Sequence, residues 1–208
     1  MLHISWLPFL ATSLLIIVTP GQDMVLVMSR TLSGGTRTGF VTAAGVSAGL
    51  ILHTILATLG LGALLQASEW LFAVLKLAGA LYLLYLGITL LRSSGERVLS
   101  SRGGAPESAL RAFAQGALSN VSNPKVALFY LAFLPQFVQA GAARPMLSLF
   151  VLGVTFAGLT FVVKGPVALF AGLLSTSIRR NPRVLTRMHR VSGVVLLGLG
   201  VKLALERR

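Results

Sequence analysis

Six apolar runs separated by short polar stretches set the plan of the chain. The first extends from about Ser5 to Met28 and is broken at Thr19-Pro20-Gly21, the second from about Gly39 to Leu65, and the third from Trp70 to Leu91. From Arg92 to Ser108 the sequence RSSGERVLSSRGGAPES is rich in Ser, Gly and charge and reads as a solvated linker near the middle of the chain. Beyond it Leu110, Phe113, Ala117 and Val121 recur at helical spacing behind Pro106-Glu107, which predicts a helix lying in the membrane interface. The fourth run covers about Leu118 to Val138, the fifth Met146 to Leu174 and the sixth Val191 to Leu205; the last is short enough that its helix is expected to start nearer Met188. About 20 apolar residues make one membrane-spanning helix, so the pattern predicts an all-α membrane protein of six spans. Residues 1–91 would form one three-helix repeat, 92–109 a cytoplasmic linker and 110–208 a second repeat.

Composition agrees with this plan and narrows the chemistry. Of 208 residues, 55% are hydrophobic and 11% charged, against about 25% charged in an ordinary soluble domain. So few charges cannot cover a water-exposed surface, and so apolar a chain does not stay unfolded in water. Cysteine is absent, which excludes disulfides and thiolate metal centres. The net charge of +13 raises nucleic acid as a partner, but the basic residues sit between the apolar runs and form no stripe with interleaved aromatics, so none is expected. Their positions instead give orientation. Arg30 and Arg37, then Arg92, Arg97, Arg102 and Arg111, then Arg179, Arg180, Arg183, Arg187 and Arg190 follow runs one, three and five, whereas Glu69 and Arg144 stand alone after runs two and four. The positive-inside rule puts the odd-numbered connections in the cytoplasm and both termini outside. With no basic residue ahead of it and no small-residue cleavage site behind it, run one reads as a retained span.

The halves look alike. A shift of 104 superposes Thr19-Pro20 on Asn123-Pro124 and Gly49 on Gly153, and a shift of 114 superposes Gly79 on Gly193. Three spans per half would make the second half enter the membrane from the opposite side, the inverted repeat of many secondary transporters. Pro20 and Pro124 interrupt the first helix of each half, freeing the carbonyls of Ile16 and Asn120. Such breaks are tolerated in a bilayer where they line a cavity or meet protein partners, and their helix ends can bind charged groups. Gln22 and Asp23 follow the first break, and Asn123 and Lys125 bracket the second proline. Intramembrane charges are costly, so Asp23 and Lys125 are candidate functional groups, able to pair with each other or to face a zwitterion. His53 is a candidate for coupling or for a helix–helix hydrogen bond, and Lys164, ahead of Gly165-Pro166, is a second buried cation candidate. Gly45 and Gly49 mark a close helix contact, internal or in a homodimer. Tyr82, Tyr85, Trp6 and Trp70 read as interfacial anchors or packing.

The strings TPGQDMVLV (19–27), LKLAGALYLLYLG (75–87), NPKVALFYLAFLPQF (123–137) and VSGVVLLGLG (191–200) resemble those of the LysE/RhtB family of amino-acid exporters. All four occur in family order at family spacing, and NPK and LPQF are the most distinctive. The resemblance implies a six-helix bacterial inner-membrane exporter of amino acids or close derivatives, driven by the proton gradient and needing no cofactor. It places substrate binding at Pro20, Gly21, Gln22, Asp23, Asn123, Pro124 and Lys125; His53, Lys164 and Gly49 are secondary candidates from the residues themselves. Many relatives carry PGPN where this chain has Pro20-Gly21-Gln22-Asp23, so an acid at position 23 belongs to a subset of the family. Two other classes stay open on the residues alone. An intramembrane enzyme would need a nucleophile elbow or paired carboxylates, which five acids and three histidines do not supply. A metal-ion exporter would call for more ligands than Asp23 and His53.

Overall fold

The computed structural model describes residues 3–19, 21–67, 69–92, 108–139, 141–173 and 182–205. Among these the secondary structure is helical apart from one isolated β-bridge, between Ile4 and Val138. The helices are α1 (Trp6–Val18), α2 (Gln22–Ala67), α3 (Glu69–Arg92), α4 (Ala109–Val121), α5 (Pro124–Leu128), α6 (Pro145–Leu173) and α7 (Pro182–Leu205). A π-helical turn, Phe129–Phe133, and a 3₁₀ turn, Leu134–Phe137, prolong α5. Pro135 has no N–H to continue the α-helical ladder, and the chain tightens and leaves the helix there.

α2 is two helical arms joined at Gly35, whose backbone (φ 84°, ψ 170°) lies in a region open essentially to glycine. Val27 packs with Ala43 and Val46 in one buried cluster, and Thr31 faces Gly39. Residues 27 and 46 would stand about 28 Å apart in a straight helix, so the chain reverses at Gly35. The Arg30–Arg37 connection is therefore a tight helical hairpin. Gly35→Ala should lower stability by about 1–3 kcal/mol, read as a fall in melting temperature in detergent, while Gly60→Ala, where an added methyl meets nothing within 4 Å, should not.

The second arm of α2 lies against α4 and α6, and α3 lies against α7. Close approach comes from glycine: Gly87 and Gly193 face each other's carbonyl oxygens between α3 and α7. Gly45 sits against the backbone of Phe113, and Gly49 against that of Ala117. The Gly45–Gly49 face is thus occupied inside the protomer by α4. At one end, Ser5 N donates to Phe137 O (2.9 Å) and Gln139 N to His3 O (2.9 Å), tying the start of α1 to the end of the α5 segment. Phe9, Phe129, Phe133, Tyr130 and Phe156 fill the core there. Large apolar side chains such as Leu7, Leu59, Leu110 and Val162 face outward, as expected of a lipid-contacting surface. Pro145–Phe170, and the stretch Gln22–Gly60 that carries the second arm, are long and apolar enough to cross a membrane.

The helix predicted at 110–121 is α4, which lies along the second arm of α2. Leu110, Phe113 and Val121 are its exposed face, whereas Ala112, Gly116 and Asn120 are buried. In lipid a small-residue face is the one that seeks protein contact. One boundary changes. The last helix begins at Pro182, ahead of Met188, and takes Arg183, Arg187 and Arg190 into its first turns. The linker predicted over 92–109 falls mostly on 93–107, outside the described residues; α3 ends at Arg92, and Ser108 caps α4 by accepting from Arg111 N.

Candidate functional site

Both interruptions follow from proline chemistry and lie side by side. The residue before a proline is pushed from helical to extended backbone; Thr19 (ψ 115°) ends α1 and Asn123 (ψ 105°) ends the turn after α4. Asn123 then serves as N-cap of α5, its Oδ1 accepting from Lys125 N at 3.1 Å, with Pro124 in the first turn, where its missing N–H costs nothing. Pro20 itself lies outside the described residues.

The carbonyls that the prolines free are both taken up. Lys125 Nζ donates to Ile16 O (2.9 Å) and Thr19 O (3.0 Å), placing a buried ammonium at the carbonyl end of α1. A cation is unfavourable at the start of its own helix but favourable at the C-terminal end of another, and the lysine stem spans the gap between the two. The carbonyl of Asn120 accepts from Asn123 N (2.9 Å) and lies 3.2 Å from His53 Nε2, so that nitrogen carries the proton. The His53 ring stacks on Tyr130, with centroids 5.6 Å apart. Tyr130 Oη donates to Gly153 O (3.1 Å) and lies 3.1 Å from Thr54 Oγ1. His53 thus buttresses the second break from the α2 side.

Asp23 begins α2 with its carboxylate at the amino end of that helix, 3% exposed. Its partners are Asn120 Nδ2 (2.8 Å to Oδ2), Ser119 Oγ (3.2 Å to Oδ1) and Lys164 Nζ (3.3 Å to Oδ2). The ion pair therefore runs to Lys164 of α6, 141 residues away, and not to Lys125 as a meeting of the breaks had suggested. Lys164 is 5% exposed; its stem keeps the ammonium inside rather than leading it to an interface. Asn120 must turn its amide toward the carboxylate, which directs Oδ1 the other way; that oxygen is buried and has no partner among the described residues.

These groups enclose a central cavity of about 30 Å³, room for a water or two. Its polar side is Asp23, Asn120, Asn123, Lys125, Thr160 and Lys164, and its apolar side includes Ile16, Met24, Leu50 and Phe156. Gly21, Asn123 and Lys125 also line a neighbouring cavity of about 200 Å³ bounded by Gln22, Tyr82 and Pro124, so they form the wall between the two.

Gly21, Asp23, Asn123, Lys125 and Lys164 thus meet at one place. Gln22 and Pro124 are exposed and belong to the outer cavity, and Gly49 lies behind Asn120, where an added methyl would meet the Asn120 side chain at 2.9 Å. Sequence reasoning passed over Ser119, Thr160 and the side chain of Asn120, of which only the carbonyl was singled out. Ser119 and Asn120 are a polar pair inside an apolar run just ahead of Asn123-Pro124, a signal of the same kind that singled out Gln22-Asp23.

Comparison with known proteins places the chain. An uncharacterized membrane protein of Pseudomonas aeruginosa is 34% identical over 194 residues, covering 91% of this chain and 89% of that protein. The homoserine/homoserine lactone efflux protein of Salmonella typhimurium is 32% identical over 203 residues, covering 97% of each. The leucine efflux protein of Klebsiella pneumoniae is 27% identical over 205 residues, covering 97% of this chain and 95% of that protein. No solved structure is a significant match. The family model for LysE type translocators matches residues 14–207, a stretch that contains both proline interruptions and the buried Asp23, Lys125 and Lys164. The chain is a membrane protein of the LysE type translocator family, a transporter and not an enzyme.

Proposed function

We propose that this protein exports amino acids or close derivatives across the bacterial inner membrane by alternating access in exchange for protons. The observation that carries this reading is the meeting of two interrupted helices around a small cavity lined by Asp23, Lys125 and Lys164. Lys125 spends two of its three ammonium hydrogens on α1 carbonyls; the third, with Asn123 nearby, meets a substrate carboxylate. The Asp23 carboxylate, through the oxygen that Lys164 does not hold, meets the substrate ammonium. The names of the relatives that export homoserine, its lactone and leucine support an amino-acid cargo.

A 30 Å³ space does not hold an amino acid, so in this reading the site widens to take its substrate, where Lys125 separates the two cavities. Six membrane crossings arise as two inverted three-helix repeats: α1 with the first arm of α2, its second arm, and α3, repeated by α4 with α5, α6, and α7. The pairing of equivalent helices, α3 on α7 and the second α2 arm on α6, is what this symmetry would produce. The arginine-rich connections face the cytoplasm and both termini face outward. A homodimer would have to use a face other than Gly45–Gly49. The metal-ion alternative gains no support, since no group of three potential metal-binding His, Asp or Glu side chains gathers among the described residues.

The test is efflux from energised cells preloaded with a leucine- or homoserine-containing dipeptide. Expression of the protein should speed appearance of the free amino acid outside, and a protonophore should abolish the gain. Efflux unchanged by expression would overturn the export reading, and protonophore-resistant efflux the coupling.

A further inference from the structure

Lys125 and Lys164 bring two positive charges to the central cavity and Asp23 brings one negative charge, leaving it with an excess of +1. Lys164 holds the carboxylate that a positively charged substrate side chain would otherwise seek. Beyond Thr19, Gly21, Asn120, Asn123 and Thr160 the lining is aliphatic or aromatic, with Ile16, Ile17, Met24, Leu50, Val126 and Phe156 on one side, and Asp23 is its one carboxylate. A buried cation without a partner is strongly disfavoured. A second carboxylate is disfavoured too, because an apolar wall gives it no donors. The apolar side chains instead suit a hydrocarbon or short hydroxylated substituent.

Resting on the export reading above, we infer that Lys164 is a specificity-determining residue: by occupying Asp23 it restricts the protein to amino acids with uncharged side chains and excludes lysine and arginine. The ion pair is then an internal stand-in for a cationic side chain. Removing the stand-in should open the site to the real one, because Asp23 would keep Ser119 and Asn120 but lose its positive partner.

The experiment uses the full-length protein in proteoliposomes loaded with radiolabelled leucine, homoserine, lysine or glutamate, with melting temperature recorded for each variant. The wild type should carry leucine and homoserine at least about tenfold faster than lysine, the scale of discrimination a single well-defined pocket contact supplies. Lys164→Met should reverse the ratio in favour of lysine, a gain that a misfolded variant cannot produce. Lys164→Arg should keep the wild-type preference, because it keeps a cation on Asp23. Wild-type transport of lysine at the leucine rate would overturn the inference while leaving amino-acid export intact. So would a folded Lys164→Met variant with the wild-type ratio. Transport of none of the four amino acids would instead overturn the export reading, and this inference with it.

Discussion

Lys125→Ala should abolish efflux while leaving much of the protein folded in the membrane. The ammonium has two jobs, and the substitution removes both. It neutralises the carbonyl end of α1 through Ile16 O and Thr19 O, and in the proposed function it is the group that meets a substrate carboxylate. A hydrogen bond to a charged group is worth about 1.5–3 kcal/mol, so losing the substrate contact alone would weaken binding about 10- to 150-fold. Leaving two buried carbonyls without their donor costs about 1–3 kcal/mol each, which the vacated space can offset by admitting water. Efflux should therefore fall much further than stability. Lys125→Arg keeps the charge, but its rigid, larger fork does not fit the same pair of carbonyls, so activity should drop with a smaller loss of stability. Efflux and melting temperature on the same preparations separate the two jobs. Normal efflux from Lys125→Ala at equal expression would remove Lys125 from the site.

The second large effect falls on stability. Gly45→Val should prevent accumulation of folded protein, because even the first added carbon would overlap the backbone of Phe113 on α4. Backbone cannot move aside as a flexible side chain can, so α4 would have to separate from α2, carrying Asn120 and Ser119 away from Asp23. Overpacking a tight contact costs about 3 kcal/mol or more where relief requires a helix shift, a large share of a marginal stability. Gly158→Val, where an added carbon meets nothing within 4 Å, is the control and should accumulate normally. Membrane-fraction yield and size-exclusion profile in detergent read the difference. Equal yields would contradict the packing of α4 on α2.

Much of this was legible in the sequence because its signals are local. Apolar run lengths, the two X-Pro interruptions and the polar residues beside them need only the covalent chemistry of proline and the cost of charge in a bilayer. The freeing of the Ile16 and Asn120 carbonyls also follows from residue spacing. What spacing cannot supply is the partner. Asp23 meets Lys164 across 141 residues and Lys125 meets Ile16 across 109, contacts that depend on which helices lie side by side. The role of Asn120 depends on the same docking, since it touches Asp23 only when α4 lies on α2. The face by which α4 docks on α2 was harder to read. In water a large apolar stripe marks the buried face, whereas in lipid it marks the exposed one, and the small-residue face Ala112, Gly116, Asn120 carried the information. The reversal between the first two runs was legible, but not its form, because both arms of α2 stay helical up to the turn at Gly35. The acid at position 23 sets this chain apart from PGPN relatives, and the structure gives that acid a lysine partner.

The central claim is that a substrate carboxylate lies on Lys125, between the two breaks. Its most direct measurement is the binding of leucine and of leucinamide, which differ in that carboxylate, to purified wild type and to Lys125→Met by titration calorimetry. The account predicts that wild type binds leucine at least about tenfold more tightly than leucinamide, and that Lys125→Met binds the two alike, the loss being that of one charge-assisted hydrogen bond. Equal affinities in the wild type, or the same leucine preference in Lys125→Met, would contradict it.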